Sequence, residues 1–422
     1  MHTPHAQSRD GSAGEAGAGS RAGQSGETGG GPRARLFPVG AGVTVAQLDR
    51  DPHPVLARLR AAEPVSWVPS LDGWLVTRHD LVLAAMRDAA RFTVDDPRFS
   101  TAQVIGPSML SLDGAEHARH REPFVAPFRA AAVAGRFAAA AEEEAGRLVA
   151  RLAPAGGAEL RREFAGPLSA AIVTRALGLG AGDVGDVLAA YEAIVASVTA
   201  ITAGDSPTAD GAAAFDRLGG RLRTVISAEH GGSLLASAAA QASLSAKQIV
   251  SNAAVLLFGG IETTEGMIAN AVLHLLRHPD RLAQVRDEPA RLDAAIDESL
   301  RLEPAAAVVD RYATTDVEFG GAVIAAGELV RLSIAGANRD PAVFAEPDAF
   351  DPDRARLRRH VAFAQGPHVC VGVHLARLEA RLGLQTLLSR LPGLALDPER
   401  AAEVRGLVFR KPRELPVVWE RH

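Results

Sequence analysis

Cysteine is nearly absent from this 422-residue chain: Cys370 is the only one. A disulfide within the chain is therefore excluded, and so is an iron–sulfur cluster, which needs several thiolates. A lone thiol is compatible with a reducing compartment, and the cytoplasm is the expected location. Long apolar runs are scarce too. No stretch of sequence reads as the ~20 apolar residues that span a bilayer, so no membrane anchor is expected. Met1 to about Arg35 lacks the apolar centre of a signal peptide, and its Gly, Ala, Ser and charged residues read as a disordered tail over 1–35. Basic blocks are lacking as well, and with a formal net charge of −5 nothing points to nucleic acid. What remains, 47% hydrophobic and 23% charged, is a globular balance with material for a large core in one or two domains.

The single cysteine sits in Phe363-Ala364-Gln365-Gly366-Pro367-His368-Val369-Cys370-Val371-Gly372, followed by helical spacing at Leu375, Ala376 and Leu378. Gly366-Pro367 sets a tight turn and lets the backbone approach a neighbour. Gly372 removes side-chain bulk just beyond the sulfur. A cysteine entering a helix N-terminus meets free N–H groups, which favour thiolate over thiol and suit it to a metal. The competing readings are an inert buried thiol and a catalytic nucleophile. A nucleophile wants an activating base, and only His368 is near in sequence.

Elsewhere the periodicities are mainly helical. Val43 to Ala62 is helix-forming with Thr44 as cap, and Asp72-Gly73 between β-prone runs signals a hairpin. Phe92 to Leu112 has no sustained period and reads as a functional loop. His117 and Arg121, four apart, share a helix face. Ser245 with Gln248 makes a capping box, opening a helix that runs unbroken until His278-Pro279. In its middle stands Phe258-Gly259-Gly260-Ile261-Glu262-Thr263-Thr264. Glycines in a helix interior cost roughly 1 kcal/mol each relative to alanine, and a carboxylate in an apolar helix needs a reason. One account is a packing notch with Glu262 turned to solvent; the other is a locally widened helix beside a reactive centre.

Together these stretches carry a resemblance. The cysteine string matches F-x-x-G-x-H-x-C-x-G, continued by Leu375, Ala376, Arg377 and Glu379, and resembles the haem-binding signature of the cytochrome P450 superfamily. Ala364 stands where many members have glycine. Gly259-Gly260-Ile261-Glu262-Thr263 resembles the family's oxygen-activation pattern, and Glu298-Ser299-Leu300-Arg301 its E-x-x-R element. The resemblance covers nearly everything after residue 40 and implies one catalytic domain over 36–422. Its implied fold is mainly α with small β-sheets, a helical prism around haem with a minor β-rich region. It implies Cys370 as the iron ligand of haem b, with His117, Arg121, Arg311, His368, Gly259 and Phe363 around the cofactor. Glu298 and Arg301 would form a buried structural ion pair, with Arg354 or His360 as third member. Glu262 and Thr263 would deliver protons during O–O cleavage. Val255, Phe258, Ala306, Ala307, Val408 and Phe409 would line the substrate pocket. The helix–loop–helix around Gly204-Asp205-Ser206-Pro207 would be a lid. The implied activity is NAD(P)H-driven monooxygenation of an apolar, fairly large organic substrate by O2, in bacterial secondary metabolism. Electrons would come from a separate ferredoxin and ferredoxin reductase, with Arg119, Arg356, Arg358 and Arg359 as docking charges. A peroxide-driven peroxygenase and a catalytically silent haem-binding recruitment domain are the alternatives. Glu262-Thr263 argues against the first, and an intact oxygen-activation helix against the second.

Overall fold

A computed structural model describes residues 32–202, 206–227, 233–241 and 243–421. The longer helices are, in chain order, α1 (Gly114–Val125), α2 (Ala130–Leu152), α3 (Gly166–Ala176), α4 (Val184–Thr202), α5 (Ala209–Ser227), α6 (Ala246–Arg277), α7 (Leu292–Leu302) and α8 (Val373–Arg390). The axis of the molecule is α6, which is apolar around most of its circumference and is buried by α3, α7 and α8. Its start is fixed as the sequence suggests: the Gln248 amide donates to Ser245 Oγ, and the Ser245 amide donates to Gln248 Oε1 at 3.0 Å. Pro279 ends it by opening the next helix.

The main sheet is built from β1 (Val65–Val68), β2 (Gly73–Val76), β3 (Phe92–Thr93), β4 (Val308–Ala313) and β5 (Leu329–Ser333), in the order β1-β2-β5-β4-β3. β2 and β5 run parallel and the other pairs antiparallel. The hairpin closes with Asp72 at φ 45°, a conformation that Asp tolerates better than branched residues. A Cβ on Gly73 would lie 3.0 Å from the Leu329 carbonyl oxygen of the adjoining strand, so glycine is needed for the close approach. Smaller sheets pair Gly157–Glu159, Ala395–Leu396 and Pro416–Val418, and separately Val317–Phe319 with Ala322–Ile324. The core divides accordingly into a helical cluster, a cluster on the main sheet and a small one under the N-terminal helices. The architecture is mainly α with small sheets, as the resemblance implies.

Three local expectations need correction. Pro32–Leu36 is a short helix, so the last residues assigned to the tail are structured: Arg33 pairs with Glu328 and lies 4.7 Å over the Trp67 ring. The segment 92–112 is not wholly loop, because it holds β3 and a helix over Ser100–Ile105. Ala181–Ile201 is apolar and long enough to cross a membrane by length and composition, although it contains Asp183, Asp186 and Glu192. In this fold it packs on α5 and α3. Residues 1–31, Gly204 and Asp205 lie outside the described residues.

Candidate functional site

The cysteine loop is held by its own backbone. The Cys370 amide donates to the Phe363 carbonyl at 2.9 Å, and a short 3-10 turn spans Gly366–His368. Gly366 has φ +75°, and a Cβ there would sit 2.5 Å from the Met86 carbonyl oxygen. The close approach expected of this glycine is real. Ala364 also lies in the left-handed region, at φ 56°, which explains why glycine suits this position better than any residue with a side chain. The loop hands Cys370 to α8, whose N-cap is Gly372.

Cys370 forms part of the wall of a cavity of about 840 Å³. From α6 the cavity is lined by Val255, Phe258, Gly259, Glu262 and Thr263, and from the cysteine loop by Phe363, His368 and Gly372. Arg121, Ala306, Arg311, Val408 and Phe409 complete the predicted set that it brings together. Phe258 and Phe409 meet edge-to-face at 5.4 Å, and Arg377 caps the Phe363 ring at 5.0 Å. Two predicted residues differ. Ala307 turns from the cavity into the N-terminal core beside Leu48 and Leu56, because successive residues of extended chain point opposite ways. His117 is buried behind the wall, its ring 4.3 Å from that of His368.

Of the donors expected around the cofactor, three are short of acceptors. His117 Nε2 is buried without a hydrogen-bond partner, and burial, reinforced by His368 and Arg121, lowers its pKa to about 4. Arg121 donates to the Val369 carbonyl at 2.5 Å and Arg311 to the Asp310 carbonyl at 2.7 Å, a single side-chain hydrogen bond each among the described residues. Burial pulls Arg311 down to about 10. Two under-used guanidinium groups lining the cavity that holds Cys370, with an orphaned imidazole behind its wall, fit a ligand with two carboxylates, which haem is. His368 is otherwise engaged: its Nε2 lies 2.8 Å from Asp113 Oδ1, and Asp113 also accepts from Thr93 Oγ1 and the Val94 amide. The thiolate bias expected from the helix N-terminus is outweighed here. Cys370 is exposed to the cavity, yet the chain packed around it keeps bulk water away and pushes its thiol up against the pull of the Gly372 amide and Arg121; a bound cation would hold it ionised.

The two glycines of α6 separate the two accounts of their purpose. A Cβ on Gly260 would come 3.0 Å from Val173 Cγ2 of α3, so Gly260 is a packing notch, whereas one on Gly259 would meet nothing within 4 Å, because Gly259 opens onto the cavity. The helix is not interrupted there, contrary to the expected widening; Thr263 Oγ1 donates to the Gly259 carbonyl at 2.6 Å instead. Glu262 does not face solvent. Lys411 Nζ lies 2.8 Å from its Oε1, and the Tyr191 hydroxyl donates to its other oxygen. Lys411 also reaches Glu265 at 3.3 Å, which Arg161 holds at 2.7 Å. Burial raises the Glu262 pKa although Lys411 opposes it.

Behind the cysteine loop, Glu298 and Arg301 are fully buried and joined by two bonds of 2.7 Å. Arg354 is the third member, donating to Glu298 Oε1 at 3.1 Å, whereas His360 turns to Asp297 at 3.6 Å. Arg301 spends its remaining donors on the carbonyls of Asn338, Pro347 and Ala349, tying α7 to the segment before the cysteine loop. Arg356, Arg358 and Arg359 are exposed, but Arg119 is bound to Glu116 and the Ser243 carbonyl. Sequence reasoning missed Asp113, Tyr191 and Lys411, whose partners are far along the chain. It also passed over Asp310 and Arg331, although an arginine inside Leu329-Val330-Arg331-Leu332 was a visible signal of a charge placed in a central strand.

Comparisons with known proteins agree with this geometry. A sequence profile of the family described as cytochrome P450 matches residues 225–400. Nocardicin C N-oxygenase of Nocardia uniformis subsp. tsuyamanensis is 35% identical over 403 residues, covering 91% of this chain and 98% of that one. The cytochrome P450 monooxygenase PikC of Streptomyces venezuelae is 34% identical, covering 88% and 92%. Among solved structures, P450BioI in complex with an acylated acyl carrier protein superposes with a TM-score of 0.80 at 28% identity, covering 88% and 99%. CalO2 superposes at 0.79 with 29% identity, covering 89% and 97%. On the cysteine loop, the buried Glu298–Arg301 pair and relatives that match it over about nine-tenths of its length, the chain belongs to the cytochrome P450 family of monooxygenases.

Proposed function

We propose that the protein is a haem-thiolate monooxygenase of bacterial secondary metabolism, using O2 and electrons from NAD(P)H through a separate ferredoxin and reductase. The observation that carries this is one cavity lined jointly by Cys370, Thr263 and the acceptor-poor Arg121 and Arg311. Haem bound there, ligated by Cys370, would supply reductive activation of O2 and transfer of one oxygen atom to substrate. His117, Arg121 and Arg311 would hold its carboxylates, and Gly259 leaves the space beside α6 open. The Thr263 hydroxyl, once released from the Gly259 carbonyl, would pass a proton toward that space, and Glu262 would resupply it. Lys411 joins Glu262 to Glu265, and Lys411 and Arg161 are each 16% exposed, so this charged cluster carries the carboxylates from the cavity toward the surface, with Lys411 and Glu265 as the groups that could exchange a proton with Glu262. The apolar lining from Val255, Phe258, Ala306, Val408 and Phe409 suits a largely apolar organic substrate. The names of relatives such as pentalenic acid synthase and vitamin D(3) 25-hydroxylase support an assignment to that broad class. Arg356, Arg358 and Arg359 are suited to an acidic ferredoxin. The cytoplasm is the compartment that keeps a lone thiol reduced.

Turnover with a surrogate ferredoxin system, compared with turnover on hydrogen peroxide alone, tests the reading. Product from the reductive system with little from peroxide is expected. Turnover only with peroxide would make it a peroxygenase, and none under either condition a recruitment domain.

A further inference from the structure

One feature of the cavity is out of keeping with an apolar substrate. Asp310 of β4 and Arg331 of β5 are directly opposed across the sheet, and both line the cavity. Their nearest approach, Arg331 Nε to Asp310 Oδ1, is 3.3 Å. The angle is too poor for a hydrogen bond, and both atoms are buried without a partner. Arg331 is only 6% exposed, and its side chain has no hydrogen bond among the described residues. The small pocket beside it is lined mainly by apolar residues, among them Leu48, Leu56, Leu71, Leu75 and Leu407, together with Ser333 and Arg410. Apart from Arg311, already assigned to the cofactor, the other buried arginines near the site are better served: Arg301 has five hydrogen bonds, and Arg410 holds Glu303 at 2.6 Å along with three backbone carbonyls.

A guanidinium group has five donors in a planar fork, and one misaligned carboxylate cannot satisfy them. The partner that is missing is therefore an acceptor, and the fork matches a second planar carboxylate best. Val45 and Ser70, both exposed, line the same cavity, so an anionic group could arrive from the surface at that end. Burial raises the pKa of Asp310 although Arg331 and Arg311 oppose it, which favours proton uptake and lessens its repulsion of an incoming carboxylate.

We infer that Arg331, with Asp310 opposite, is a substrate-recognition subsite for a carboxylate, so that the substrate has an apolar reacting part and an anionic end. The inference deepens the proposed function and rests on the same cavity, but not on turnover. Arg331 and Asp310 are specificity residues and take no part in the chemistry.

The test uses the holoenzyme with decanoate and its methyl ester as probes, read by isothermal titration calorimetry and by the haem spectral shift. Decanoate is expected to bind at least about tenfold more tightly than the ester. Arg331→Gln should abolish that preference, leaving ester affinity and the carbon monoxide spectrum unchanged. Asp310→Asn, which removes the competing charge without touching the guanidinium, should keep or strengthen decanoate binding and so tests the claim should the Arg331 variant fail to fold. Equal affinity for acid and ester in the unaltered protein, binding of neither, equal loss of both in Arg331→Gln, or weakened decanoate binding in Asp310→Asn would each overturn the inference. A normal carbon monoxide spectrum alongside any of these failures would sink the subsite and spare the haem-thiolate reading.

Discussion

At the scale of single residues, position within the backbone decides what a side chain is worth. Ala364 carries a Cβ at φ 56°, where an L-residue is strained by roughly 1–2 kcal/mol. Ala364→Gly relieves that strain but gains entropy in the unfolded chain, so a net stabilisation of about 0.5 kcal/mol is expected from urea unfolding of the holoprotein. Glu262 offers a test by pH. Its pKa is raised in the fold, so the native state holds this proton more tightly than the unfolded state. Native stability from that proton is full below the ordinary carboxylate range and is lost as pH rises through the raised value. Glu262→Gln removes the loss, and its unfolding midpoint relative to the unaltered protein should improve as pH rises above the ordinary carboxylate range. A constant difference would mean that Lys411 fully compensates the carboxylate. For chemistry, Thr263→Ala should lower product yield per NAD(P)H and raise peroxide release; full coupling in this variant would remove Thr263 from the proton path.

At the scale of elements, α6 and α7 show how much local sequence can state. The capping box at Ser245 and the stop at Pro279 are short-range chemistry, and both were legible. So was the fact that Gly259 and Gly260 needed a reason; which glycine served which purpose was not, because it depends on α3 arriving at Val173. The two should therefore respond differently to alanine. Gly259→Ala should stabilise the fold by up to ~1 kcal/mol through helix propensity while crowding the cavity. Gly260→Ala must push Val173 aside and should gain less or lose. In α7, Glu298→Ala leaves Arg301 charged in a fully buried site, and a loss of about 3–5 kcal/mol is expected. The measurement is soluble holoprotein yield together with thermal unfolding.

At the scale of the whole molecule, the cavity is made by segments distant in sequence: α1, α6, β4, β5, the cysteine loop and the turn at Val408. Motifs with fixed spacing could be read before the fold was known, because each lies on one element. The groups that couple those elements could not. Lys411 reaches Glu262 only once the C-terminal turn lies against α6, Asp113 reaches His368 only once α1 meets the cysteine loop, and Ala307 faces the core because of strand alternation. The clustering of acceptor-poor donors around one sulfur is likewise a property of the assembled chain, and it is the physical basis for the cofactor. The most direct measurement is the absorption spectrum of the purified protein, reduced and exposed to carbon monoxide. The account predicts the red-shifted band of thiolate-ligated haem for which the family is named, lost in Cys370→Ala. A protein that retains no haem when expressed with ample supply, or one whose band lies where histidine-ligated haem absorbs, would contradict it.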